Sequence, residues 1–249
     1  MKFAFVFPGQ GSQSVGMMDV WSGHPAAMQV IADASAALGE DLGLLMAEGP
    51  VEKLNLTTHT QPAMLTAGVA VYEAWRAAGG PQASLMAGHS LGEYAALTAA
   101  GALSLPDAVR LVRVRADAMQ AAVPVGTGAM AAVLGLEDDA VRAACAEAAQ
   151  GQVVEAVNFN APSQVVIAGH AEAVQRAIQT SKAAGAKRAM LLPVSAPFHS
   201  SLLKPAADVL QGALASINVN APLVPVINNV DVAIVQDPAA IRDALVRQA

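Results

Sequence analysis

Residues Gly88-His89-Ser90-Leu91-Gly92 carry a G-x-S-x-G pattern where a short apolar run, 83–87, gives way to a segment rich in helix formers, 91–97. This is the spacing of a nucleophile elbow, a strand-to-helix turn that forces a serine into a strained backbone region and lifts its hydroxyl above a sheet. The two glycines leave room for strand and helix to approach closely. Ser90 Oγ would stand at a helix N-terminus, with the free N–H of Leu91 facing any oxyanion that forms beside it. The chemistry would be acyl transfer through a serine ester. The pattern is short, and a Gly-rich β–α turn with a serine N-cap reads equally well from these five residues alone.

A second loop adds to the first reading. Lys2-Phe3-Ala4-Phe5-Val6-Phe7 predicts a first central strand that runs into Pro8-Gly9-Gln10-Gly11-Ser12-Gln13. Glycines on both sides of Gln10 let its backbone N–H turn toward a ligand as a second oxyanion donor. A phosphate loop is disfavoured, because no G-K-[ST] element is present and the G-x-G-x-x-G spacing is not met. Of the five histidines, His199 is the candidate base. It follows the apolar strand 189–193, at a strand end where catalytic groups collect. His89 adjoins the nucleophile but points elsewhere on a tight turn, so it is read as supporting the elbow. His24, His59 and His170 sit in polar or helix-edge contexts and read as surface or capping residues, and no metal-ligand spacing is present. The order Ser90 then His199 is that of the α/β-hydrolases. No third acid stands out, since Asp107, Asp138 and Asp139 read as first-turn helix residues.

Arg115 points toward a substrate. On a helix over 106–122, Arg110, Arg113 and Asp117 share one face, with Arg113 and Asp117 spaced as a surface pair. Arg115 lies instead on a stripe with Leu111, Val112 and Met119. A guanidinium sent into apolar surroundings needs a partner. That partner is either a structural carboxylate such as Glu93 or a substrate carboxylate held by arginine's bidentate fork.

Together, Phe5-Val6-Phe7-Pro8-Gly9-Gln10-Gly11-Ser12-Gln13, the elbow through Glu93, Arg115, and Pro193-Val194-Ser195-Ala196-Pro197-Phe198-His199-Ser200 resemble the malonyl-CoA:acyl carrier protein transacylases of bacterial fatty acid synthesis. The resemblance runs the length of the chain, and Asn160 and Gln248 also fall at positions familiar from that family. It implies a ping-pong reaction in which Ser90 takes the malonyl group, His199 acts as base and then acid, and Gln10 and Leu91 supply oxyanion N–H groups. It further implies that Arg115 holds the free malonyl carboxylate, that a backbone oxygen near Gln248 orients His199, and that Phe198 accompanies malonyl selectivity. No cofactor is implied, since malonyl-CoA is a substrate. The family continues for several dozen residues past the point where this chain stops, so an unpaired sheet edge and exposed apolar surface are expected.

The elements that must position these residues divide in two. Strands over 129–134, 153–158, 164–168 and 187–192, with helices over 138–149 and 172–184, give a β-α-β-β-α-β order, the ferredoxin-like signature. The expected fold is α/β: an α/β-hydrolase-like large domain with a parallel central sheet, residues 1–125 and 195–249, and an inserted ferredoxin-like small domain, 126–194. The active site is expected in the cleft between them. A helix over 237–246 reads as well capped near the end of the chain.

Composition agrees. The 249 residues are 54% hydrophobic and 14% charged, enough to bury a large core. No transmembrane segment or signal peptide stands out, and the single cysteine, Cys145, forbids an internal disulfide and reads as a small core residue, so a cytoplasmic location is expected. A net charge of −6 argues against nucleic acid. An acidic acyl carrier protein would then need a local positive patch, for which Lys182, Lys187, Arg188 and Lys204 are candidates beside ordinary solubilising roles. A monomer is expected. Three readings are open: malonyl transfer from coenzyme A to acyl carrier protein, in fatty acid synthesis or in a polyketide or malonate-utilising system; a serine esterase or thioesterase; and an inactive remnant. An arginine that switches the acyl preference would separate the first two.

Overall fold

A computed structural model describes residues 2–124, 126–194 and 196–249. In chain order the elements are β1 (Ala4–Phe7), α1 (Pro25–Leu38), α2 (Leu42–Glu48), α3 (Val51–Leu54), α4 (Thr57–Ala77), β2 (Leu85–Gly88), α5 (Leu91–Ala99), α6 (Leu105–Ala121), β3 (Gly128–Leu134), α7 (Asp138–Ala149), β4 (Val154–Ala161), β5 (Gln164–His170), α8 (Ala171–Ala183), β6 (Arg188–Leu191), α9 (Lys204–Ala215), β7 (Val226–Ile227) and α10 (Pro238–Gln248). They form two compact units, Met1–Asp117 with Val209–Gln248, and Ala118–Asp208 with Ala249. The expected domain junctions at Val125 and Ser195 lie outside the described residues.

The first unit is built on a parallel sheet of order β1-β2-β7. Parallel neighbours need long crossovers, and α1 to α4 supply the one between β1 and β2. The register pairs Phe7 with Gly88, and Ala87 with Ile227, so the ends of all three strands meet at one rim. Among the described residues β2 is the middle strand of the three, with β1 and β7 on either side. The apolar character of β1 is spent on one face. Phe5 packs edge-on against Tyr72 and Trp75 of α4, with ring centroids 5.3 and 5.8 Å apart, while Val6 on the other face is 71% exposed. Each such aromatic contact contributes about 0.5–1.5 kcal/mol beyond its buried area.

The second unit is an antiparallel sheet of order β4-β5-β3-β6, arising from the chain order β-α-β-β-α-β. Alternation along the strands separates two cores. Ala131, Val133, Val165 and Ile167 pack with Val141 and Cys145 of α7 and with Val174 and Ile178 of α8. On the opposite face Met130, Val166 and Ala168 pack with Met119, Val123, Phe198 and Leu203. Burial pushes the Cys145 thiol up to about 11, as befits a small core residue. Helix starts follow local rules. Ser104 and Asp107 cap each other before α6, and Asp237 Oδ2 accepts the Ala240 N–H at 2.8 Å to begin α10.

Candidate active site

The elbow forms where β2 enters α5. Ser90 has φ 51 and ψ −109. For a residue with a Cβ this conformation costs about 1–3 kcal/mol and persists only where its surroundings impose it. A side chain at Gly88 would collide with the backbone of Gly92, and one at Gly92 with the Phe7 carbonyl, so both glycines of the pattern are required by close approach. Ser90 occupies the N-cap position of α5, yet its side chain makes no capping hydrogen bond. The capping alternative therefore fails. Leu91 is buried at the first turn of α5, where backbone N–H groups lack intrahelical partners.

The Gln10 loop lies alongside. The His89 N–H donates to the Phe7 carbonyl at 3.0 Å, and Gly9 sits against the His89 backbone, where a side chain would collide. Gln10 is half-buried and its Nε2 donates to Thr57 Oγ1 at 3.1 Å, while Gly11 takes a φ of 105 that favours glycine. His89 itself is exposed.

Arg115, from α6, is the largest side chain in the fully buried interior, with 2% of its surface exposed. Its donors go to neutral oxygens: Nη1 to Gln61 Oε1 at 2.8 Å, and Nη2 to both Ser90 Oγ and Gln248 Oε1 at 3.0 Å. Its Nε has no partner, and the guanidinium lies 5.3 Å from the centre of the Tyr94 ring. It forms no ion pair among the described residues. Burial above all lowers the affinity of this arginine for its proton, with Tyr94 and Glu93 acting against that. The same burial pushes the Tyr94 hydroxyl up to about 12.

Glu93, the carboxylate weighed in the sequence as a partner of Arg115, does not hydrogen-bond it. One of its oxygens instead accepts the Gln248 amide at 2.7 Å and the Asn229 N–H at 2.9 Å. Burial raises the Glu93 carboxyl, and those two bonds oppose the rise. Asn229 in turn accepts the Ser90 N–H on Oδ1 at 2.6 Å and donates Nδ2 to the Gly88 carbonyl at 2.7 Å. Gln248 Nε2 also reaches the Ser90 carbonyl at 3.0 Å.

Ser90, Gln10, Leu91, His89, Arg115 and Gln248 thus belong to the first unit. His199 belongs to the second, half-buried in a tight turn with φ 65. Its neighbour Phe198 is buried in the second core, and Ser200 Oγ donates to the Pro197 carbonyl at 2.7 Å, which pins the turn on both sides. Asn160 is exposed in β4, and Lys182, Lys187, Arg188 and Lys204 are exposed in the second unit. Sequence reasoning missed Gln61 and Asn229. Gln61 had a faint signal as one of several polar residues, Thr57 to Gln61, opening an otherwise apolar helix; Asn229 had only its place just beyond a short strand.

Residues 4–242 match the acyl transferase domain family. The chain is 60% identical over 248 residues to the malonyl CoA-acyl carrier protein transacylase of Escherichia coli K12, covering 99% of this chain and 80% of that one. It is 45% identical over 249 residues to the protein of the same name from Bacillus subtilis, covering 99% and 78%. Among solved structures, the acyl-carrier-protein S-malonyltransferase of Burkholderia pseudomallei superposes with a TM-score of 0.98 at 63% identity, covering all of this chain and 81% of that one. A malonyl-transacylase solved in complex with its type II polyketide synthase acyl-carrier protein superposes with a TM-score of 0.98 at 55% identity and the same coverage.

Proposed function

Because this chain belongs to the malonyl CoA-acyl carrier protein transacylase family of acyl transferases, we infer that it moves a malonyl group from coenzyme A to the phosphopantetheine thiol of an acyl carrier protein. One observation carries the substrate reading. The buried Arg115 guanidinium is held only by neutral oxygens, its Nε is unpartnered, and its Nη2 lies 3.0 Å from Ser90 Oγ. Nε and Nη2 form the side-on edge of the guanidinium fork, which grips a carboxylate through two parallel hydrogen bonds. An acyl group on Ser90 that ends in a carboxylate would supply the missing anion.

In the first half-reaction Ser90 Oγ attacks the thioester carbonyl as His199 takes its proton. The oxyanion is met by the N–H groups of Gln10 and Leu91. Collapse breaks the carbon–sulfur bond, and His199 returns the proton to the departing coenzyme A thiolate. In the second half, the carrier thiol gives its proton to His199 and attacks the malonyl ester, and Ser90 leaves with that proton. A backbone oxygen near Gln248 orients His199, and Asn160 and His89 have supporting roles. These steps use side chains and backbone groups of the chain alone and call for no cofactor. We read Lys182, Lys187, Arg188 and Lys204 as the basic footing of the acidic carrier; that all four are exposed supports this. The finer fold description that goes with this reading is an α/β-hydrolase-like large domain, 1–125 and 195–249, with a ferredoxin-like insert, 126–194. Supporting the insert are its strand order and helix placement. A cytoplasmic location accords with the chemistry, and no helix among the described residues is long and apolar enough to cross a membrane.

Intact-protein mass after brief exposure to malonyl-CoA tests the proposal. A malonyl adduct is expected on the parent and not on Ser90→Ala, and reduced carrier protein should discharge it. An adduct that decays in water equally fast with or without carrier would identify a hydrolase and sink the transfer reading.

A further inference from the structure

A strained nucleophile must be held by something, and the residues that hold Ser90 differ from those that would react. The parallel register sets Ile227 beside Ala87, so two residues further on Asn229 stands beside His89, at the rim where the elbow turns. Its one carboxamide spans that turn. Oδ1 accepts the Ser90 N–H at 2.6 Å and Nδ2 donates to the Gly88 carbonyl at 2.7 Å. An N–H on one side and a carbonyl on the other admit an amide in one orientation only. The backbone N–H of Asn229 donates to Glu93 at 2.9 Å, which seats the clasp on a buried carboxylate carried by the elbow helix itself.

The same carboxylate governs the next peptide plane. Glu93 accepts Gln248 Nε2 at 2.7 Å, and that Nε2 also donates to the Ser90 carbonyl at 3.0 Å. The Ser90 carbonyl and the Leu91 N–H belong to one rigid peptide unit, pointing in opposite directions. Fixing the carbonyl from behind therefore aims the Leu91 N–H. We propose that Asn229 is a positioning residue for acyl transfer, whose side chain, seated by Glu93, holds the Ser90 backbone and the adjoining peptide in the geometry that presents the nucleophile and its oxyanion N–H. The assignment rests on the transfer reading given above.

The test compares the parent with Asn229→Ala and Asn229→Asp by rapid-quench mass of malonyl-enzyme formation, with melting temperature alongside. For Asn229→Ala the rate at saturating malonyl-CoA should fall by about 100-fold, the order expected when reacting groups lose their alignment, with little change in the half-saturating concentration. Asn229→Asp keeps an acceptor for the Ser90 N–H, but it faces the Gly88 carbonyl with a donor only when protonated. Its rate relative to the parent should therefore rise as the pH is lowered. Parent-like rates in Asn229→Ala would overturn the assignment, as would an effect confined to half-saturation, a pH-independent Asp deficit, or loss of folding in both variants. If the parent itself takes no malonyl adduct, the transfer reading fails rather than the clasp. The clasp is then read from the rate at which a fluorophosphonate labels Ser90, which should fall in Asn229→Ala and would refute it if unchanged.

Discussion

Arg115 shows how much a single residue can specify. A guanidinium buried among neutral oxygens is costly to keep, by several kcal/mol before its hydrogen bonds are counted. Replacing Arg115 with Ala should lower malonyl transfer by about 3 kcal/mol, roughly a hundredfold, while acetyl transfer holds or rises. Arg115→Lys should not restore the malonyl rate, because an ammonium cannot present the two parallel donors. Paired kcat/KM measurements with malonyl-CoA and acetyl-CoA check this, and an equal loss on both substrates would deny Arg115 its role in choosing the acyl group. The sequence marked Arg115 by its apolar stripe. It could not mark Gln61 or Gln248 as its partners, since an amide has no periodicity that reveals what it will face.

At the scale of elements, α1, α4 and α6 are joined by a charged cluster. Arg113 of α6 grips Glu40, just past α1, with two bonds of 2.7 and 2.8 Å, and Arg110 donates to the Ala37 carbonyl at 3.0 Å. This corrects the expected Arg113–Asp117 pair: the fork takes a carboxylate that meets Nη1 and Nη2 end-on from another element, with two parallel bonds, in place of one a turn away on its own helix. His59 at the start of α4 lies 3.8 Å from Glu40, with Thr58 on its other ring nitrogen. Burial, and then the Arg113 cation, hold the His59 imidazolium below its ordinary range, and Glu40 opposes them. The unfolded chain therefore binds this proton first as the pH falls. The contribution of His59 to stability is whole above its unfolded value near 6.5 and is lost below it. Melting temperatures of parent and His59→Gln from pH 7.5 to pH 5 should converge or cross as the parent loses stability faster, and parallel curves would refute the coupling.

At the scale of the whole molecule, a chain of net charge −6 has to receive an acidic protein. Two of the proposed docking cations, Lys187 and Arg188, lie together at the start of β6 in the second unit, whereas Ser90 and Arg115 lie in the first. Docking and acylation should therefore be separable. Reversing both charges, Lys187→Glu with Arg188→Glu, should raise KM for the carrier protein several-fold at low salt and leave acylation by malonyl-CoA unchanged. Equal loss in both half-reactions would count against this footing, and the difference should shrink as salt screens the surface.

Local rules were legible before the fold was seen. An apolar run followed by G-x-S-x-G marks a strand, a turn and a helix, and the close contacts at Gly88 and Gly92 follow from that geometry. The helix read over 138–149 is found at those bounds as α7, because acidic first-turn residues and an apolar stripe specify it within its own length. Tertiary structure decided what depends on distant partners. It set β2 between β1 and β7, since strand order is a property of the sheet and not of a strand. It also brought Gln61 to Arg115 across 54 residues and Asn229 to Ser90 across 139. A hydrogen bond between residues so far apart is set by the register and crossover of packed elements, and no local run of residues encodes it.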